Sequence, residues 1–358
     1  MDKKIIIVNA RFLTQSITGV QRYGIEISRN LKKISKNNQL IFVTPYNIIN
    51  KEYAKELDAV IIGKHTGHLW EQIDLPLYLR KIGSPLLLCL ANTAPIFYKY
   101  KISTIHDVAF KVYPQTFNKT FLYTYQLLIP QILKSSKHVL TVSNFSKKEI
   151  NKYYHTNLNK ISVIPNAVNE DFIYTKDDNL KNTPYFLAVS SINYRKNFHA
   201  VLKAFDIFTN KTTINYKLFI IGDLNCSSFN GIDLSSFKKN PNIVFLGRVS
   251  DKELIHYYSN AIAFIYPSLY EGFGIPPLEA QACMCPVLSS TIEPLKEVLE
   301  DSALYADPYK AEDLANQMII LTHEYQRNKL KQLGKENIKR FSWHKSAMKL
   351  KEILYSYL

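Results

Sequence analysis

Residues 261–280 read AIAFIYPSLYEGFGIPPLEA. The first six are apolar and aromatic, as in a short buried strand. Gly272 and Gly274 then let the backbone approach a ligand closely. Pro276 and Pro277 suit the first turn of a helix. A strand feeding a glycine loop into a helix start aims free N–H groups and a positive dipole end outward, which suits phosphate. Glu271 falls on the loop and Glu279, eight positions on, inside the helix. The same string also fits a structural Gly/Pro turn with a glutamate favoured by the helix dipole.

Working outward, the same strand–helix alternation recurs twice, as in open, mostly parallel sheets. Strand-like runs fall at residues 5–8, 40–44, 59–62, 86–89, 102–105, 138–142 and 161–164. A loop runs through Gly19 and a helix follows over residues 20–34. Residues 169–184 are polar and read as a linker. A second series has strands at 185–189, 217–221, 243–246, 261–266, 286–289 and 303–305, with helices at 198–208 and 251–258. The S-x-x-E spacing predicts capping boxes at Ser146–Glu149 and Ser250–Glu253. From residue 312 onward the pattern is helical. The expectation is two α/β domains facing across a cleft, with ligands outside the carboxyl ends of the strands.

Composition agrees with two ordinary cores: 358 residues, 46% hydrophobic and 21% charged. No apolar run reaches the roughly 18 residues of a membrane helix. The start, Met1-Asp2-Lys3-Lys4 before a short apolar run, lacks the features of a signal peptide, so a cytoplasmic location is expected. Cys89, Cys226, Cys283 and Cys285 have no zinc-ligand spacing and read as incidental thiols. The net charge of +15 is uneven, with 24 Lys and Arg against 13 Asp and Glu in residues 1–180. No nucleic-acid motif accompanies it. An anionic membrane surface or a lipid diphosphate is the better partner, with scattered solvating lysines as the alternative.

The string Glu271-Gly272-Phe273-Gly274-Ile275-Pro276-Pro277-Leu278-Glu279 is a full E-G-F-G-x-P-x-x-E. It resembles the E-x7-E signature of the retaining glycosyltransferases of family 4. Further strings support the likeness in order and spacing. Residues 18–23 are similar to the family's glycine loop, Ile105-His106-Asp107 to its His-Asp motif, residues 163–168 to the segment closing its first domain, and Arg195-Lys196-Asn197 to its diphosphate motif.

The resemblance implies a GT-B fold of two Rossmann-like, doubly wound domains, with the last helix crossing back to the first. The implied domains are 1–170 plus 341–358, a linker at 171–184, and 185–340. It implies a donor site of Gly19, Arg195, Lys196, Glu271, Gly272, Phe273, Gly274, Ile275 and Glu279. Arg195 and Lys196 would neutralise charge on the leaving diphosphate. That removes the need for a metal, so no metal and no cofactor beyond the nucleotide-sugar substrate is expected. Glu279 would hold the donor ribose and Glu271 the transferred sugar. His106 would lie near the reaction centre. Gln21, Arg22 and Asp107 are weaker acceptor candidates. Domain closure would exclude water from the transfer. The His-Asp form, with Leu69-Trp70-Glu71-Gln72 upstream, is most similar to mannosyl- and deoxyhexosyltransferases of bacterial surface polysaccharide assembly. It implies a GDP-linked donor, with UDP or dTDP as alternatives, and a saccharide acceptor such as a lipid-diphosphate-linked O-antigen or capsule intermediate.

Other classes fit less well. A glycoside hydrolase using Glu271 and Glu279 as its carboxylate pair leaves Arg195-Lys196 without purpose. A nucleotide-sugar epimerase of similar fold should lack the E-G-F-G-x-P-x-x-E string. A dehydrogenase needs a G-x-G-x-x-G after the first strand, which is missing. A non-catalytic protein that grips a nucleotide or an anionic surface keeps the fold without turnover.

Overall fold

The computed structural model describes residues 5–35, 39–175, 183–189, 194–222, 237 and 239–358. The chain divides into two units, Met1–Asn166 with Ser342–Leu358, and Ala167–Phe341. Of the expected linker, residues 176–182 lie outside the described residues, as does Cys226. Before that gap, Phe172 is buried and the Thr175 amide donates to Ser259 Oγ at 3.0 Å, so this stretch packs within the second unit.

The first unit is built on seven strands: β1 (Ile6–Asn9), β2 (Leu40–Thr44), β3 (Val60–Ile61), β4 (Leu86–Cys89), β5 (Lys101–Thr104), β6 (His138–Thr141) and β7 (Ile161–Val163). They lie in the order β3-β2-β1-β4-β5-β6-β7, every pair parallel. β1 and β4 are buried throughout, and apolar but for Asn9, because helices cover both faces of a central parallel strand. The direction of winding reverses between β1 and β4, which makes their carboxyl ends the binding position of such a sheet.

The helix Gly19–Ile34 follows β1. The last helix, Trp343–Tyr355, belongs to this unit and packs along Gly19–Ile34. Lys351 Nζ donates to the Ile34 carbonyl at 2.6 Å, and Ser346 Oγ to that of Pro165 at 2.8 Å.

The second unit repeats the plan with six strands: β8 (Tyr185–Val189), β9 (Lys217–Ile221), β10 (Ile243–Gly247), β11 (Ala263–Tyr266), β12 (Val287–Ser290) and β13 (Leu304–Ala306). Their order is β10-β9-β8-β11-β12-β13, again parallel, so the switch falls between β8 and β11. Its core gathers Phe186, Phe205, Phe208, Leu218, Leu288 and Met318 between sheet and helices.

One helix start differs from expectation. The helix Asn144–Tyr154 begins before Ser146, capped by Ser143, whose Oγ accepts from the Ser146 amide at 3.0 Å. Ser146 is already inside the first turn, so its S-x-x-E spacing is no capping box. The other box forms: Ser250 Oγ accepts from the Glu253 amide at 3.3 Å and Glu253 Oε2 from the Ser250 amide at 2.8 Å.

Candidate active site

In the second unit, the chain after β8 and the loop after β11 meet at the switch point. Tyr194–Lys196 forms one helical turn after β8. Asn197, at φ +58°, ties it down: its Nδ2 donates to the carbonyls of Pro267 at 3.1 Å and Pro308 at 2.6 Å. The Leu269 amide donates back to the Arg195 carbonyl at 2.8 Å. These bonds fix the two basic side chains against residues 266–271.

Glu271 is the centre of that contact. Its Oε1 accepts from Lys196 Nζ at 2.5 Å, Ser268 Oγ at 2.5 Å and Tyr266 Oη at 2.7 Å. Lys196 Nζ also donates to Tyr266 Oη at 2.8 Å. Arg195 Nη1 lies 3.6 Å from Glu271 Oε2 and donates to the Tyr270 carbonyl at 2.9 Å. Burial alone would raise the Glu271 carboxyl. The Lys196 and Arg195 charges, with the Lys196 and Ser268 hydrogen bonds, outweigh it and hold the group at about 2. Tyr266 is pushed well above its ordinary range, by burial first and then by the Glu271 charge, so it stays a neutral donor. Both cations thus reach the Glu271 carboxylate, and a basic pair at this position suits an anionic ligand.

The glycine loop then delivers the chain into the helix Ile275–Ala282. Gly274 has φ +93°, and a Cβ there would stand 2.5 Å from Leu295 Cδ2. Both facts require glycine. The Phe273 ring turns inward against Phe341, centroids 5.4 Å apart. The amides of Phe273 and Gly274 meet no hydrogen-bond acceptor among the described residues, as the first N–H groups at a helix start normally do not. Gly272 and Ile275 are buried beside them. Glu279 lies on the second helical turn, 9% exposed, and its charge adds to the burial that raises Tyr258 and Cys283.

In the first unit, His106 follows β5 and is 6% exposed. Its Nε2 stands 3.0 Å from the Leu90 carbonyl oxygen and its amide donates to Asn92 Oδ1 at 2.8 Å. Burial lowers its pKa despite the Leu90 hydrogen bond and the Asp107 charge. A neutral imidazole facing a carbonyl carries its proton on Nε2, which leaves Nδ1 as an acceptor. Tyr23 packs edge-on against the ring at 4.8 Å, and Trp343 packs on Tyr23 at 6.0 Å.

The weaker candidates have local partners. Gln21 completes a capping box at the start of Gly19–Ile34: its Oε1 accepts from the Thr18 amide at 3.2 Å and from the Thr18 hydroxyl, and its Nε2 donates to Gln15 Oε1 at 2.8 Å. Gly19 is the first residue of that helix. Arg22 is half-buried on it and its charge acts on Glu26. Asp107 Oδ1 accepts from the Ala109 amide at 2.9 Å.

A second charged cluster was not foreseen. Glu71, on the π-helical turn Trp70–Asp74, is buried against Arg11, which follows β1. Its Oε1 accepts from Asn9 Nδ2 at 2.7 Å and Arg11 Nε at 3.3 Å, and Arg11 Nη2 donates to Thr93 Oγ1 at 2.6 Å. Burial would raise this carboxyl, but the Arg11 charge and the Asn9 hydrogen bond, with His68 and Thr93 close by, hold it at about 2. The flanking residues lock the same region: Trp70 Nε1 donates to the Ile62 carbonyl at 2.7 Å, and Gln72 bonds to the Ala94 carbonyl at 3.0 Å and the Ile96 amide at 2.9 Å. The signals in the sequence were polar Asn9 ending an otherwise apolar strand, Arg11 just after it, and the segment Leu69-Trp70-Glu71-Gln72. Among the described residues no three His, Cys, Asp or Glu side chains are grouped to hold a metal. No described helix is long and apolar enough to cross a membrane.

Two parallel sheets in Rossmann order, one with a basic pair and an E-x7-E loop at its switch point, define a glycosyltransferase of the GT-B fold. The chain belongs to the family 4 and group 1 glycosyltransferases: residues 17–172 match the model described as Glycosyltransferase Family 4 and residues 169–340 that described as Glycosyl transferases group 1. Over 321 residues it is 33% identical to the O-antigen chain mannosyltransferase RfbU of Salmonella typhimurium, covering 85% of this chain and 87% of that protein. Its fold is similar to sucrose-phosphate synthase from Thermosynechococcus elongatus, with TM-score 0.76, 19% identity and 98% of each chain covered. It is also similar to Anabaena HepE in complex with UDP and glucose, with TM-score 0.75, 16% identity, and 99% of this chain and 100% of that one covered.

Proposed function

We propose that this protein transfers a mannose-like hexose or deoxyhexose from a GDP-linked donor to a saccharide acceptor, with retention at the anomeric carbon. The observation that carries the reading is the contact of Arg195 and Lys196 with Glu271 beside the helix start at Ile275. The two cations suit the donor diphosphate, and the glutamates suit hydroxyls, Glu271 on the sugar and Glu279 on the ribose. Arg195 and Lys196 then supply the charge stabilisation that a metal gives elsewhere. In the step itself, the bond from the anomeric carbon to the diphosphate oxygen breaks. The acceptor oxygen bonds to the same face, and its proton passes to the departing phosphate oxygen.

The mannose-like donor is supported by the name of the Salmonella relative, an O-antigen chain mannosyltransferase. A UDP or dTDP donor is the second reading, favoured by the UDP in the Anabaena neighbour. We read the first unit as the acceptor-holding half, the acceptor as a lipid-diphosphate-linked O-antigen or capsule intermediate, and the location as the cytoplasmic side of the membrane. Exposed Leu69, Ile73 and Leu77 recur at four-residue spacing before Arg80 and Lys81, which suits a peripheral contact with an anionic surface.

The test is turnover of GDP-mannose onto a lipid-linked saccharide in the presence of EDTA, with the product linkage read by NMR. An α-linked mannoside from the α-linked donor supports the reading. A β linkage, or activity that vanishes in EDTA and returns with a divalent ion, contradicts it.

A further inference from the structure

We infer that Glu271 is an internal counter-charge that weakens the hold of the second unit on a bare nucleoside diphosphate, so that spent nucleotide leaves more readily than intact donor binds. The inference rests on the reading of Arg195 and Lys196 as the diphosphate-binding pair.

The geometry points this way because the carboxylate is tethered beside those cations. Its Oε1 is held by Tyr266 and Ser268 as well as by Lys196. Ser268 is itself fixed, since its carbonyl accepts from Ser290 Oγ at 2.6 Å. Tyr266 ends a central strand, and its ring lies 5.1 Å beneath the Lys196 ammonium. Two neutral donors on rigid elements therefore keep a negative charge 2.5 Å from Lys196. Arg195 is held within reach of the other oxygen at 3.6 Å.

A bare diphosphate then meets cations already partly neutralised, and its own charge is repelled by Glu271 at short range and in low dielectric. An intact donor differs by two features: its esterified β-phosphate carries about one negative charge fewer, and it brings a sugar. Its sugar hydroxyls can donate to Glu271 and offset that repulsion. The carboxylate thus separates substrate from product by charge.

The test is calorimetric titration of GDP, UDP and the matching nucleotide sugars into wild-type protein, Glu271→Gln and Glu271→Ala. Gln keeps the shape and removes the charge. The diphosphate should bind about threefold tighter or more in both variants at low salt, with the gain shrinking as salt rises. The intact sugar nucleotide should show no such gain. Unchanged or weaker diphosphate binding in a variant that melts cooperatively overturns the inference and leaves the donor site standing. Should both variants fail to fold, the wild type decides. Intact donor binding at least as tightly as diphosphate supports the counter-charge, and diphosphate binding about tenfold tighter than donor overturns it. A wild type that binds no nucleotide removes the donor-site reading and this inference with it.

Discussion

Ser346 Oγ donates to the carbonyl oxygen of Pro165 at 2.8 Å, across 181 positions of sequence. The bond joins the last helix to the chain just past β7, so the final residues complete the first unit. Trp343, 6% exposed, stands one turn earlier and packs on Tyr23, which packs on His106.

Trp343→Ala should therefore destabilise the first unit by about 3–5 kcal/mol. Chemical denaturation of the variant measures the loss. Turnover should fall with it, because the His106 ring loses the stack behind it. Nucleotide affinity should change little, since Arg195, Lys196, Glu271 and Glu279 belong to the second unit.

Gly274→Ala places a side chain at φ +93° and against Leu295 Cδ2. The backbone strain alone should cost about 1–3 kcal/mol. Adding Leu295→Ala relieves the overlap and leaves the strain, so the double variant should recover nucleotide affinity only in part. Full recovery would place the whole effect in the overlap.

Glu279→Ala should weaken nucleoside diphosphate binding by roughly 1–3 kcal/mol if its carboxylate holds the ribose. A 2′,3′-dideoxy nucleotide should bind wild type and variant alike. Unchanged affinity for the ordinary nucleotide would remove the ribose role.

Glu71 and Glu271 both sit at about 2 in the folded chain, against an ordinary value of 4.5. A carboxyl lowered by folding adds stability that is complete above 4.5 and lost as pH falls toward 2. The melting temperature should be flat from about pH 7 to 5.5 and drop steeply below 4.5. Glu71→Gln should start lower near neutral pH, because Arg11 loses its buried partner, and should decline less steeply in acid.

The sequence was informative wherever the signal was local. The apolar runs at Leu86–Cys89, Tyr185–Val189 and Lys217–Ile221 are strands at those residues, because buried parallel strands show no polar alternation to blur their ends. The box at Ser250–Glu253 was legible for the same reason. Ser146 misled because S-x-x-E also occurs within a helix, and the adjacent Ser143 is the cap. Thr18-x-x-Gln21 is a capping pattern too, which could have assigned Gln21 from sequence. The partners of Glu271 were harder to see. Tyr266 reads as one more aromatic in a buried strand, and only the fold turns its hydroxyl toward the carboxylate. Arg11 and Glu71 lie 60 positions apart, and nothing local pairs them.

The most direct test of the central claim, a nucleoside diphosphate site on Arg195, Lys196 and the 271–279 turn, is calorimetric titration of GDP, UDP, dTDP, ADP and CMP into wild type and Arg195→Ala. The account predicts binding of one diphosphate, GDP first, that weakens markedly in Arg195→Ala while the variant still melts cooperatively, at a lower temperature because Glu271 loses a buried partner. Binding of none of the five, or equal binding in the variant, would contradict it.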